Sequence, residues 1–287
     1  SLKDQVRKDF DRYIQKDPEA VEVLERYKRY GKKLLVITNS DFKYCKLLLD
    51  NAITPYLKEH ADWNELFELV ITLSSKPRFF TSKNNFLQID PQTGYMSNQF
   101  GQITSGVYQG GWAQKLEKDL KLEGSEILYL GDHIYGDVVS IKKTCNWRTA
   151  LVLEPLKKEV RSLKKAGNIQ RKIDKLMNEK QDLETKINHL DLKKKEQSQE
   201  VDKKDISKLF SEVDKVNSEI SSQLEDFRKH FNPYWGELMR AGQEESRMAD
   251  QVEKYACIYM SKVSDLIEYS PKTYFRPPRR VLPHEIF

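Results

Sequence analysis

The chain has 287 residues, a formal net charge of +5, 38% apolar residues and 32% charged residues. That length fits one large or two modest domains, and the small excess of Lys and Arg (49) over Asp and Glu (44) suits anionic small ligands as well as nucleic acid. The apolar runs are too short to cross a bilayer, and Cys45, Cys145 and Cys257 stand far apart without a Cys-x-x-Cys pair, which argues against a disulfide framework or zinc site and for a reducing, cytoplasmic compartment.

Asp17-Pro18-Glu19 supplies a helix cap, a first-turn proline and a first-turn acid. Val21, Leu24 and Tyr27/Lys28 then recur at helical spacing until Gly31 ends the helix. Leu34–Ile37 is a continuous apolar run of the kind found in strands covered on both faces. Leu69–Leu73, Ile127–Leu130 and Ala150–Leu153 read the same way. Helical patterns over Phe42–Asn51 and Trp112–Leu122 lie between them, so residues 1–155 predict an α/β core with a parallel sheet. Asp90-Pro91-Gln92-Thr93-Gly94 marks the turn of a small β-hairpin between Phe86 and Tyr108.

From residue 156 to 230 the composition turns to Lys, Glu, Asp, Ser and Gln with almost no Gly or Pro. Ile169, Ile173, Leu176, Leu183, Ile187 and Leu190 form one apolar seam, interrupted at Lys180, and Ile206, Leu209, Val213, Val216, Ile220, Leu224 and Phe227 form another. With a charged loop over Lys193–Lys204, this predicts an antiparallel helical hairpin serving as a structural arm; partner or nucleic-acid binding is the alternative. Residues 231–287 regain Tyr, Trp, Pro and Met and are expected to form a C-terminal helical segment and tail packed on the core. The seam and the Tyr-rich tail point to self-association, while neither membrane nor nucleic acid is an expected partner.

The chemistry gathers at strand ends. Asp132 and Asp137 follow the third apolar run in Gly131-Asp132-His133-Ile134-Tyr135-Gly136-Asp137-Val138, which sets hard oxygen donors at a sheet's carboxyl edge and suits Mg²⁺. Asp in that position is also an ordinary helix cap. Thr38-Asn39-Ser40 follows the first run, where hydroxyls, an amide and backbone N–H groups can hold phosphoryl oxygens or merely cap a helix. Lys76 follows the second run in Ser74-Ser75-Lys76-Pro77-Arg78-Phe79-Phe80; alone, it would read as a surface lysine. The joint order, hydroxyl and amide, then lysine, then paired acids, is far less expected by chance than any single part.

In these segments the sequence resembles the haloacid-dehalogenase-like phosphohydrolases, and among them the cytosolic purine 5'-nucleotidases. Thr38–Tyr44 is similar to that family's second motif, Ser75–Phe80 to its third and Gly131–Val138 to its fourth. Met239–Gly242, Gln251–Ala256, Phe275–Arg279 and Leu282–Glu285 match in style, so the similarity flanks the hairpin on both sides. The resemblance implies a Rossmannoid parallel sheet and Mg²⁺-dependent hydrolysis of a purine nucleoside 5'-monophosphate such as IMP or GMP. It implies that Thr38 and Ser40 bind the transferring phosphoryl group, with Asn39 shaping the loop and helping to orient substrate. Lys76 would neutralise charge on the phosphate and the attacking carboxylate, Asp132 would be the Mg²⁺ ligand, and Asp137 a direct or water-mediated supporting one.

One departure stands out. The family's first motif, Asp-x-Asp-x-Thr after an apolar strand, supplies the carboxylate that forms an aspartyl-phosphate and the general acid/base. Asp9-Phe10-Asp11 has the spelling but follows Gln5-Val6-Arg7-Lys8 and reads as two surface acids on a helix. The expectation is therefore an incomplete sheet in the C-terminal part of a longer protein, with the nucleophile strand and cap preceding Ser1 and this segment alone inactive. Two further readings stay open: phosphatase action on another small ester such as a sugar phosphate, and a non-catalytic scaffold that holds a partner through the helical arm or the basic Phe275–Arg280 tail.

Overall fold

The computed structural model describes residues 2–196, 202–242, 244–277, 279 and 281–286. It divides into two compact units, residues 1–154 with 247–287, and residues 155–246.

The first unit opens with helices α1 (Leu2–Lys8), α2 (Phe10–Tyr13) and α3 (Pro18–Arg29). Asp17 caps α3 by accepting a hydrogen bond from the Ala20 N–H, as its sequence predicts. Then come β1 (Leu35–Ile37), α4 (Phe42–Ala52), α5 (Trp63–Leu66), β2 (Leu69–Thr72), α6 (Arg78–Thr81), β3 (Phe86–Ile89), β4 (Met96–Asn98) and β5 (Gly106–Gly110). Helix α7 (Ala113–Leu120), β6 (Leu128–Gly131), α8 (Ser140–Thr144) and β7 (Arg148–Val152) complete the first half.

One sheet has the order β1-β2-β5-β3-β4. Its first three strands run parallel, Val36 facing Val70 and Val70 facing Val107, while β3 and β4 are antiparallel additions. The hairpin predicted around Asp90–Gly94 is the β3/β4 pair, which joins this sheet through β5. A second sheet, β10-β7-β6, is wholly parallel and includes β10 (Ile258–Met260) from the far end of the chain. The molecule is thus a mixed α/β protein with parallel sheets and helical regions.

Cores form on the faces of these strands. Leu69, Ile71, Phe79, Phe80, Phe86 and Trp147 pack in a cluster that also takes Leu35, Ile37 and Tyr129, so residues of β1 and β6 share one apolar environment. Val23 and Tyr27 of α3 pack with Ala150, Met260 and Phe275 on the second sheet. Every member of β2 is buried, yet β1, equally apolar, is only half-buried along its length.

The second unit holds α9 (Leu156–Glu196) and α10 (Lys203–Arg228). Ile173 packs near Phe227 while Leu176 and Leu183 pack near Val213, Val216 and Ile220, which sets the helices antiparallel along the predicted seam. Residues 193–196 belong to α9, Asp202 caps α10 and 203–204 belong to it; residues 197–201 of the expected loop lie outside the described residues. Short strands β8 (Arg240–Ala241) and β9 (Glu244–Glu245) follow in this unit, and α11 (Arg247–Tyr255) returns the chain to the first. Among the described residues no helix is long and apolar enough to cross a membrane.

Candidate active site

The loops after β1, β2 and β6 meet. Beyond β1, the Thr38 N–H donates to Ile71 O at 2.8 Å and Thr38 Oγ1 accepts from the Ser40 N–H at 3.1 Å, so the hydroxyl folds back on its own turn. Asp41 then caps α4 by accepting from the Tyr44 N–H and also pairs with Lys3 at 2.6 Å. Thr38, Asn39 and Ser40 thereby sit just ahead of an 11-residue helix, where unpaired backbone N–H groups and the helix dipole favour an anion.

The loop after β2 is bent through left-handed backbone at Leu73 (φ 41°) and Ser75 (φ 59°) and contains a cis Lys76–Pro77 bond. It is tied to the first loop by the Ser74 N–H and hydroxyl, which donate to Thr38 O at 3.0 and 2.9 Å. Asn39 completes the tie. Its Oδ1 accepts from the Lys76 N–H at 2.6 Å and from Ser74 Oγ at 3.0 Å, and its Nδ2 donates to Lys76 O at 3.1 Å.

Lys76 reaches to the third loop. Its Nζ lies 3.0 Å from Asp137 Oδ1 and 2.7 Å from the Tyr129 hydroxyl, whose own hydrogen points to the same Asp137 oxygen at 3.4 Å. Asp137 is 5% exposed, so this is an ion pair with most water removed, and the hydrogen bonds around it offset the cost of burying the charge. Asp137 Oδ2 accepts from the His133 N–H at 3.3 Å, and His133 Nδ1 accepts from the Gly136 N–H at 2.9 Å, which shapes a π-helical turn over Ile134–Val139. Burial, reinforced by the charge and hydrogen bond of Asp137, pushes the Tyr129 phenol well above its ordinary range and keeps it protonated.

Gly131 is explained by the same packing. A Cβ there would fall 2.3 Å from Asp137 Cβ and 2.6 Å from Oδ2. Asp132, the next residue, is exposed, and its carboxylate has neither hydrogen bond nor ion pair among the described residues. Its charge acts on the Tyr129 phenol, which sets it in the same neighbourhood.

Direct contacts thus join Thr38, Asn39, Lys76 and Asp137, with Ser40 and Asp132 in the same loops. Asp11 is a 77%-exposed side chain paired with Lys16, and among the described residues no hydrogen bond links Asp9 or Asp11 to Lys76 or Asp137. Among the described residues no three His, Cys, Asp or Glu side chains form a metal cluster. An Mg²⁺ ion often needs only one or two carboxylates beside water and phosphate, and the free Asp132 carboxylate fits that donor set. A cleft of about 530 Å³, lined by Lys28, Trp63, Glu68 and Gly106, lies at the amino ends of β2 and β5, away from these loops.

A sequence model described as the 5' nucleotidase family matches residues 1–287. The chain belongs to the 5' nucleotidase family. A 5'-nucleotidase domain-containing protein of Dictyostelium discoideum is 28% identical over 290 residues, covering 99% of this chain and 46% of that protein. The 5'-nucleotidase domain-containing protein 2 of rat and of human are each 25% identical over 282 residues, covering 98% of this chain and 47% and 50% of theirs. This member of the 5' nucleotidase family therefore spans about half the length of the curated relatives it matches.

Tyr129 is the site residue that sequence reasoning missed. It reads as one member of the apolar run Ile127–Leu130, and the signal available was a hydroxyl in a strand whose neighbours are all aliphatic.

Proposed function

We propose that these residues form the phosphate- and Mg²⁺-binding part of a haloacid-dehalogenase-like phosphohydrolase that converts purine nucleoside 5'-monophosphates, such as IMP and GMP, to nucleoside and phosphate. The observation that carries this reading is the convergence of Lys76 on Asp137 at 3.0 Å, with Asn39 gripping the Lys76 peptide beside Thr38. Phosphoryl transfer depends chiefly on alignment and charge neutralisation, and a fixed ammonium beside a helix N-terminus supplies both.

Thr38, Ser40 and the backbone N–H groups ahead of α4 hold the transferring phosphoryl oxygens in this reading, with Asn39 as part of that binding loop. Lys76 neutralises charge on the phosphate and on the attacking carboxylate. Asp132 is the Mg²⁺ ligand, and Asp137, already bonded to Lys76 and His133, supports it through water or directly. When bound, Mg²⁺ supplies charge stabilisation on the phosphoryl oxygens.

The nucleophile belongs, in this proposal, to a strand from outside these 287 residues that pairs between β1 and β6. Each of those strands has a hydrogen-bonded neighbour on one side alone among the described residues. Both are apolar yet largely half-buried, and Leu35, Ile37 and Tyr129 share one core cluster. Apolar edges of this kind call for a partner strand. An Asp on it would attack phosphorus and expel the nucleoside 5'-oxygen, which takes up a proton; water would then cleave the acyl phosphate, releasing phosphate and the carboxylate.

Purine preference rests on the family resemblance, and the base pocket is assigned to the same outside region. A cytoplasmic location is part of the proposal, supported by three free cysteines. The test is phosphate release by the complete protein from IMP, GMP, UMP and glucose 6-phosphate, with Mg²⁺ or with EDTA. Release from IMP and GMP that EDTA stops supports the reading; preference for the sugar phosphate would move the substrate class, and no release from any would refute it.

A further inference from the structure

We propose that Tyr129 is a positioning residue for this phosphate transfer: its phenol oxygen holds the Lys76 ammonium so that one of the three ammonium hydrogens stays available to the substrate. The proposal rests on the phosphohydrolase reading above and extends it to a residue that no motif contains.

An ammonium has three donors and no acceptor. Tyr129 Oη at 2.7 Å takes one and Asp137 Oδ1 at 3.0 Å takes a second, so the third hydrogen's direction is fixed by the other two. A flexible four-carbon side chain loses several rotamers' worth of freedom to be aimed in this way, and two anchors aim it where a single ion pair would let it swing. The phenol itself cannot drift. Its ring meets Phe80 edge-on at 5.7 Å and tilts against Trp147 at 6.2 Å, and both partners are fully buried.

Phe80 adds a second link. It lies four residues beyond Lys76 on α6, so one short segment delivers both the cation and the ring that steadies the phenol. A tyrosine here that served packing alone would do so as well as phenylalanine, and the hydroxyl, at a residue 9% exposed, would be a liability without partners. It has two, and both belong to the candidate site.

The experiment compares wild type, Tyr129→Phe and Lys76→Met in the complete protein, following phosphate release from IMP with Mg²⁺. Removal of one aiming hydrogen bond is expected to lower kcat about tenfold while KM for IMP and the half-saturating Mg²⁺ stay within about twofold, the signature of a contact that matters in the transition state. An unchanged kcat in Tyr129→Phe beside a dead Lys76→Met would overturn the positioning role and leave the phosphohydrolase reading intact. A rise in KM that parallels a lowered urea midpoint would also overturn it, because it would mark the phenol as fold support. A wild-type protein that releases no phosphate would take down the reading and this inference together.

Discussion

Asn39 grips the peptide of Lys76 from both ends, its Oδ1 2.6 Å from the Lys76 nitrogen and its Nδ2 3.1 Å from the Lys76 oxygen. One carboxamide thus joins the loop after β1 to the loop after β2, and Ser74 Oγ adds a third bond by donating to Asn39 Oδ1. Asn39→Ala removes all three and frees a loop already held in left-handed backbone at Leu73 and Ser75. We expect kcat/KM for phosphate release by the complete protein to fall about 10- to 100-fold, since misplacing a charge stabiliser by about an ångström has that effect. Asn39→Asp should fare no better, because its second oxygen would face the Lys76 carbonyl.

Gly131 is set by crowding. Gly131→Ala drives a methyl to within 2.3 Å of Asp137 Cβ, so the carboxylate that holds Lys76 must move. The expected cost is about 1–3 kcal/mol of stability, as for overpacked interiors, together with loss of turnover. Gly94→Ala is the comparison. Gly94 has φ +75° but nothing within 4 Å of the added carbon, so it should lose about 1 kcal/mol from backbone strain and keep full activity. Urea melts and phosphate release on the two variants check the contrast.

The thiols report on burial. Burial pushes the Cys45 thiol up to about 11 and the Cys145 thiol to about 12, with Asp41 and Glu117 adding to it in turn. Both should resist Ellman's reagent at pH 8 in the native protein and react at once in urea, because the thiolate is the nucleophile. The linkage has a definite sign: above about pH 9 the unfolded chain gives up these protons while the folded chain keeps them, so stability falls as pH rises through that window. Cys45→Ala with Cys145→Ala should reduce the loss of urea midpoint between pH 8 and pH 10.

Much of this architecture is legible in the residues. Four apolar runs become β1, β2, β6 and β7, and Asp17-Pro18 starts α3 where it should. In the two larger sheets, two strands escape because their patterns are short or mixed: β5 is Gly-Val-Tyr-Gln-Gly, bounded by glycines, and β10 is three residues whose pairing with β7 is a long-range event. Asp132, Asp137 and Lys76 are visible as residue types at strand ends. What the spacing could not show is the division of labour between them, with Asp137 buried against Lys76 and Asp132 left free. That division depends on Tyr129, whose contact with Lys76 arises only when the loop after β2 reaches β6, and on the His133 N–H, which bonds Asp137 within its own turn.

The most direct test of the central claim is phosphate release from IMP by the complete protein carrying Asp132→Asn, titrated with Mg²⁺. Replacing the free carboxylate by an amide keeps its shape and removes its charge, so folding should be unchanged while Mg²⁺-dependent turnover falls by about 100-fold or more, as for loss of a metal ligand. Wild-type turnover and wild-type Mg²⁺ dependence in Asp132→Asn would contradict the account.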